Sequence, residues 1–269
     1  MNTEWEVYAI KYADRNSRIR ADSFIFDDNH DAPHPMDYFI WVLRNGEQTI
    51  VVDTGYDEAE GKRRDRPVLR APATALLDMG IRAEEVDTLI LTHLHYDHAG
   101  TVPAFPNARI YLQETEMVYA TGPCMCHGTL QMPFTADHVC DMVRRVYDGK
   151  VHYLDGDGEV ADGVTLHRIG GHSRGLQAVR VRTSSGWLCL ASDAAHYYEN
   201  AFARKPFPIV VDLEEMLRGF DILEALASDK SLIIPGHDPL ITQHFPTHGS
   251  ADFIFRLDAG PSTPLNILS

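Results

Sequence analysis

The chain has 269 residues, 44% of them apolar and 23% charged, which is enough to bury a substantial core without disulfides. Its 39 acidic against 24 basic side chains leave a formal charge of −15, which argues against nucleic acid or an anionic membrane as the main partner. No stretch has the length of apolar sequence that a membrane span needs, and Met1-Asn2-Thr3-Glu4-Trp5-Glu6 lacks the basic start and apolar run of a secretory signal, so a cytoplasmic protein is expected.

In chain order, the least regular stretch is Asp22 to Pro35, read as a loop. Phe39-Ile40-Trp41-Val42-Leu43 and Thr49-Ile50-Val51-Val52 read as two strands joined by a tight turn at Asn45-Gly46, with the polar Asp53-Thr54-Gly55 at the strand end. A helix is expected from Pro72 to Met79, stopped at Gly80 where a left-handed cap is cheap. Thr88-Leu89-Ile90-Leu91 is a short, continuously apolar strand of the kind covered on both faces.

Cys124 and Cys126, beside His127, are spaced more tightly than the cysteines of a zinc knuckle. With Cys140 and Cys189 they are read as structural thiols in a reducing compartment. Thr165 to Ile169 reads as a strand running into Gly170-Gly171. Val179 to Arg182 and Trp187 to Leu190 form a strand pair around Ser184-Ser185-Gly186. From Asp212, placed to cap, Leu213, Met216, Leu217, Phe220, Leu223 and Leu226 recur at helical spacing, and Ser231 to Ile234 is a last strand ending at Pro235-Gly236. Hairpins and helices in both halves suggest paired sheets enclosed by helices. No linker or short repeat divides the chain, so one domain over 1–269 is expected.

The chemistry concentrates in Thr92-His93-Leu94-His95-Tyr96-Asp97-His98-Ala99-Gly100, three imidazoles and a carboxylate packed together directly after an apolar strand. In extended chain, residues two apart face the same side, so His93 and His95 can grip one ion; a turn at Tyr96 swings Asp97 and His98 toward a second. Nitrogen and carboxylate ligands suit zinc, and also iron, manganese or cobalt.

This His-x-His-x-Asp-His run, preceded by Asp53-Thr54-Gly55, resembles the metallo-β-lactamase superfamily. The resemblance implies an α/β fold, a four-layer αββα sandwich with the metals at one edge between the sheets. It extends to Gly171-His172-Ser173, Ser192-Asp193-Ala194 and Pro235-Gly236-His237-Asp238. What it implies is one metal held by His93, His95 and His172, another by Asp97, His98 and His237, and Asp193 bridging the two. A hydroxide shared by two such ions would be the nucleophile of a hydrolase. Asp97 is the implied proton donor to the leaving oxygen, and Asp53 the holder of a ligand imidazole.

Within the superfamily the chain looks most like the N-acyl-homoserine lactone lactonases and their pyridoxolactone-cleaving relatives. Several of those carry a tyrosine, three residues after the bridging Asp, that donates a hydrogen bond to the lactone carbonyl. Here His196 stands in that place, followed by Tyr197 and Tyr198, and either His196 or Tyr197 can take the role. Opening of an N-acyl-homoserine lactone or a related small lactone is therefore expected. The alternatives are another ester, a thioester or an amide, or a metal-dependent binding protein without turnover. His30, His34, His127, His138, His152, His167, His244 and His248 are read as surface or satisfied core residues. The loop from Phe24 to Tyr38 and the segment from Met117 to Phe134 are expected as pocket walls, and a homodimer is the commonest assembly for such a chain.

Overall fold

The computed structural model describes residues 4–27, 29–46 and 48–265. The first sheet begins with β1 (Glu6–Arg15), β2 (Met36–Asn45), β3 (Gln48–Val52), β4 (Thr88–Ile90), β5 (Arg109–Gln113) and β6 (Val151–Leu154). The second holds β7 (Gly158–Ala161), β8 (Val164–Arg168), β9 (Gln177–Thr183), β10 (Gly186–Ser192) and β11 (Ile233–Pro235); the chain then returns to the first sheet with β12 (Thr247–His248) and β13 (Ala251–Arg256). The spatial orders are β12-β13-β1-β2-β3-β4-β5-β6 and β11-β10-β9-β8-β7.

The alternation of side chains along each strand explains the layering. On β2, Phe39, Trp41 and Leu43 join Val179, Val181, Leu188 and Leu190 of the second sheet in one apolar layer between the sheets. The opposite face of β2, Tyr38, Ile40 and Val42, packs in a second cluster with residues of outlying helices such as Leu76, Met142 and Ala120. On the second sheet, Ala178, Cys189 and Ala191 likewise meet Met216, Phe220 and Leu223 of the helix Leu213–Leu226. Sheet on sheet with helices outside is the expected αββα order.

Local expectations hold with small shifts. Asn45 still pairs with Gln48, so the turn starts one residue later than expected, at Gly46, which takes φ +58. The helix Pro72–Leu77 ends before Gly80 at φ +69, and Asp212 caps the helix Leu213–Leu226 by accepting from the Glu215 N–H at 2.9 Å. Among the elements unread in the sequence were β1, β5, β6, β13 and the amphipathic helix Ala136–Tyr147. Among the described residues no helix is long and apolar enough to cross a membrane.

Candidate metal centre

β4 delivers the chain to the site. His93 follows it, His95 in extended backbone precedes the short helix Tyr96–Ala99, and that helix lifts Asp97 and His98 onto its first turn. His172 follows Gly170 and Gly171, both at positive φ (73° and 80°), where the chain leaves β8. Only glycine adopts that backbone freely, and a Cβ on Gly171 would meet the Met216 backbone nitrogen at 2.5 Å. Asp193 comes off the end of β10, and His237 follows β11, the parallel neighbour of β10. All seven predicted ligands thus sit at strand ends on one edge of the sandwich.

Their ligating atoms converge. Atoms of His93, His95 and His172 lie within 4.8 Å of one another, as do those of Asp97, His98 and His237; Asp193 groups with His93 and His98 and also with His172 and His196. Around the Asp193 carboxylate the imidazole Nε2 atoms stand at 2.9 Å (His196), 3.0 Å (His237), 3.2 Å (His98 and His172) and 3.9 Å (His93).

The backs of the rings explain their aim. The Nδ1 of His98 meets Asp53 Oδ2 at 2.7 Å, that of His172 the Ile209 carbonyl at 2.8 Å, that of His237 the Asp37 carbonyl at 2.8 Å, and that of His93 the Thr92 hydroxyl at 3.1 Å. An Nδ1–H donated backward leaves the Nε2 lone pair facing inward, as in the second layer of contacts around metal-binding histidines. Five imidazoles cannot all find protons to share with one carboxylate. Accordingly His93 Nε2, His98 Nε2 and Asp193 Oδ1 are buried with no hydrogen-bond partner. Orphaned lone pairs of this kind, with nitrogen and carboxylate chemistry, fit divalent cations.

The electrostatics agree. Burial and neighbouring imidazoles, His98 first, hold His93 well below the usual histidine range; burial and His172 do the same for His95. Burial works to raise Asp193, but His196, His237 and His98 outweigh it and hold the carboxylate ionised. Burial would lower His98, yet Asp193, Asp53 and Asp97 lift it well above the ordinary value.

Asp53 is fully buried at φ +60 and accepts from Thr92 N–H at 2.7 Å, Thr92 Oγ1–H at 2.8 Å and His98 Nδ1–H at 2.7 Å. It therefore clamps the His98 ring, as expected. Sequence reasoning missed an equivalent clamp on the other side. Glu116, wholly buried, accepts from Leu94 N–H at 3.0 Å, from Gly175 N–H at 2.8 Å and from the Ser173 hydroxyl. It ties the loop of His93 and His95 to the loop of His172.

Beyond the ligands, His196 is stacked on Phe207 at 3.4 Å and 5°, and its Nδ1 is buried without a partner. Tyr197 turns elsewhere: its hydroxyl donates to the Pro35 carbonyl at 3.2 Å and its ring packs on His34 at 4.2 Å. Of the expected pocket walls, Phe134 does border the site, its ring 4.7 Å from that of His95, whereas Phe26 is 94% exposed and Met36 belongs to the core. Phe134 and Met125 also line a groove of about 720 Å³ with Met132, Val139, Arg63 and Arg64. Cys124, Cys126, Cys140 and Cys189 are free thiols, and none belongs to the cluster.

Comparison with known proteins agrees with this geometry. The metallo-beta-lactamase superfamily model matches residues 35–244. An N-acyl homoserine lactonase of Bacillus cereus is 29% identical over 214 residues, covering 74% of this chain and 80% of that protein; one from Bacillus thuringiensis subsp. kurstaki is 29% identical over 219 residues, with the same coverage. A crystal structure of a Bacillus thuringiensis variant with N-decanoyl-L-homoserine bound at its active site superposes with a TM-score of 0.73 at 24% identity, over 89% of this chain and 95% of that one. A dizinc quorum-quenching lactonase in complex with a product superposes with a TM-score of 0.70 at 18% identity, over 99% and 97% of the two chains. The chain belongs to the metallo-beta-lactamase superfamily and is a metallo-hydrolase of that family.

Proposed function

We propose that this centre opens a lactone ring, with His93, His95, His172, Asp97, His98, His237 and Asp193 holding two divalent metal ions, zinc by preference of the donor set. The observation that carries the reading is the convergence of imidazole lone pairs on Asp193, with the rings of His98, His172 and His237 oriented from behind, in a chain whose relatives include N-acyl homoserine lactonases. When bound, the ions supply Lewis acidity, acidifying a water and polarising the ester carbonyl.

The protein's own groups do the rest. Asp97 is 9% exposed, the least buried of the seven, and its oxygens stand 3.9 Å from the Nε2 atoms of His98 and His237. It accepts a proton from the attacking water and delivers it to the ring oxygen as the acyl C–O bond breaks, leaving a hydroxy acid whose ionisation releases one proton. His196 is placed to act on the carbonyl: the Phe207 stack fixes its plane, and its Nε2, 2.9 Å from Asp193 Oδ2, can present an N–H to the developing oxyanion. The commitment of the Tyr197 hydroxyl to Pro35 supports His196 over Tyr197 in that role.

The test is a panel of acyl-homoserine, simple γ- and δ- and fused aromatic lactones, read by proton release from zinc-loaded protein. Metal-dependent opening of one class is expected. If every lactone is inert while a thioester or amide is cleaved, the lactonase reading is wrong.

A further inference from the structure

Arg18 is 6% exposed. Its Nη2 donates to the Asp22 carbonyl and to Ser23 Oγ at 3.1 Å, while its Nε is buried with no partner. Among the described residues no carboxylate pairs with it. The acids nearby are already matched: Asp27 and Glu199 are bound by Arg20 and Lys205, two against two, with contacts of 2.5 to 2.9 Å. Asp238 accepts from the N–H groups of Tyr198 and Leu240, and Asp37 pairs with Lys11 at 2.8 Å. His34 adds no charge, because burial and then Arg20 push it down to about 4. A buried guanidinium without a counter-ion is costly unless something else supplies the anion.

The Arg18 guanidinium lies 5.5 Å from the Phe207 ring, and Phe207 is the ring stacked on His196 beside Asp193. Arg66, which also has a buried, partnerless Nε, contacts the Tyr96 hydroxyl. Tyr38, packed edge-on against His237 at 5.1 Å, lies within electrostatic reach of both guanidinium groups. A neutral lactone supplies no counter-charge for Arg18.

We propose that the substrate of this centre carries a carboxylate beside its scissile ring, and that Arg18 receives it. The proposal rests on the hydrolytic reading above. A charged hydrogen bond in a buried site discriminates about tenfold or more between an anion and its neutral isostere.

The experiment is calorimetric binding of 3-oxocyclopentane-1-carboxylate, a non-hydrolysable ring analogue, and of its primary amide to zinc-loaded protein. The carboxylate should bind at least about tenfold more tightly than the amide in the wild type. Arg18→Gln should bring that ratio close to one. Should loss of the Asp22 and Ser23 contacts unfold the glutamine variant, Arg18→Lys decides, since it keeps the charge and should retain a weakened preference. Equal binding of the two probes by the wild type overturns the proposal. So does a preference that survives in Arg18→Gln, which would assign the carboxylate to the metal ions, or one abolished by lysine. A protein that opens no lactone sinks the hydrolytic reading, while this comparison, which needs no turnover, still gives its own answer.

Discussion

Asp53→Asn isolates what the buried clamp behind His98 contributes. Asparagine has the same shape and tolerates the left-handed backbone at φ +60, so the loop after β3 keeps its course. What changes is the pattern of donors. Asp53 Oδ1 accepts from Thr92 N–H, while Oδ2 accepts from both Thr92 Oγ1–H and His98 Nδ1–H. An asparagine that keeps its oxygen on Thr92 N–H turns its NH2 group toward His98 Nδ1, setting N–H against N–H. The ring escapes by moving its proton to Nε2, which removes the lone pair that faces Asp193. Outer contacts of this kind are worth about 10- to 100-fold in metal affinity, or about 1.4 to 2.7 kcal/mol. The metal-free fold behaves oppositely. Burial raises the Asp53 carboxyl against the pull of His98 and Thr92, so a neutral side chain there does not destabilise the empty protein. Competition with a chromophoric zinc chelator should show weakened binding of one equivalent, alongside a metal-free melting temperature equal to or above that of the wild type. Wild-type zinc affinity in the variant would refute the tautomer argument, and a large drop in metal-free stability would make Asp53 a folding residue instead.

Glu116→Gln replaces one acceptor oxygen by an NH2 group that faces either Leu94 N–H or the Gly175 N–H and Ser173 hydroxyl, with an expected loss of about 1–3 kcal/mol in urea denaturation and weaker binding at the His93, His95 and His172 end; unchanged zinc affinity there would limit Glu116 to the fold. His196→Phe keeps the stack on Phe207 and removes the polar ring atoms, so kcat should fall about tenfold or more with little change in KM, and an unchanged kcat would leave the carbonyl to the metals alone. Although burial opposes it, Arg63, Arg64 and Thr135 hold the Glu60 carboxyl down at about 2, so its contribution to stability is complete above the unfolded value near 4.5 and is lost as pH falls toward 2. After allowance for solvent screening this amounts to about 1 kcal/mol, and Glu60→Gln should flatten the acid limb of the stability profile between those two values; an unaltered limb would show that the pair adds nothing.

The parts of the site that could be read beforehand are those whose signal is local. His93, His95, Asp97 and His98 announce themselves because strand periodicity and a helix start place four donors on one short stretch after β4. His172, Asp193 and His237 carry almost no signal of their own, since a histidine after two glycines is also a common loop; only the family pattern picked them out. The groups that aim the candidate ligands were harder still. Two of the backing acceptors, the carbonyls of Ile209 and Asp37, are backbone atoms and can belong to any residue type. Glu116 lies in the helix Glu114–Thr121, where alternate acids read as a solvated face, and its burial depends on partners 22 and 59 residues away along the chain. Arg18 falls just before the stretch read as a loop, in a segment without periodicity, so neither its burial nor its lack of a counter-ion could be seen until the chain around Phe207 was in place. Ligand chemistry is thus written in residue types at close spacing, whereas ring orientation and substrate charge are properties of long-range contacts. A sequence can therefore declare a hydrolytic metal centre and still say little about the molecule it cleaves.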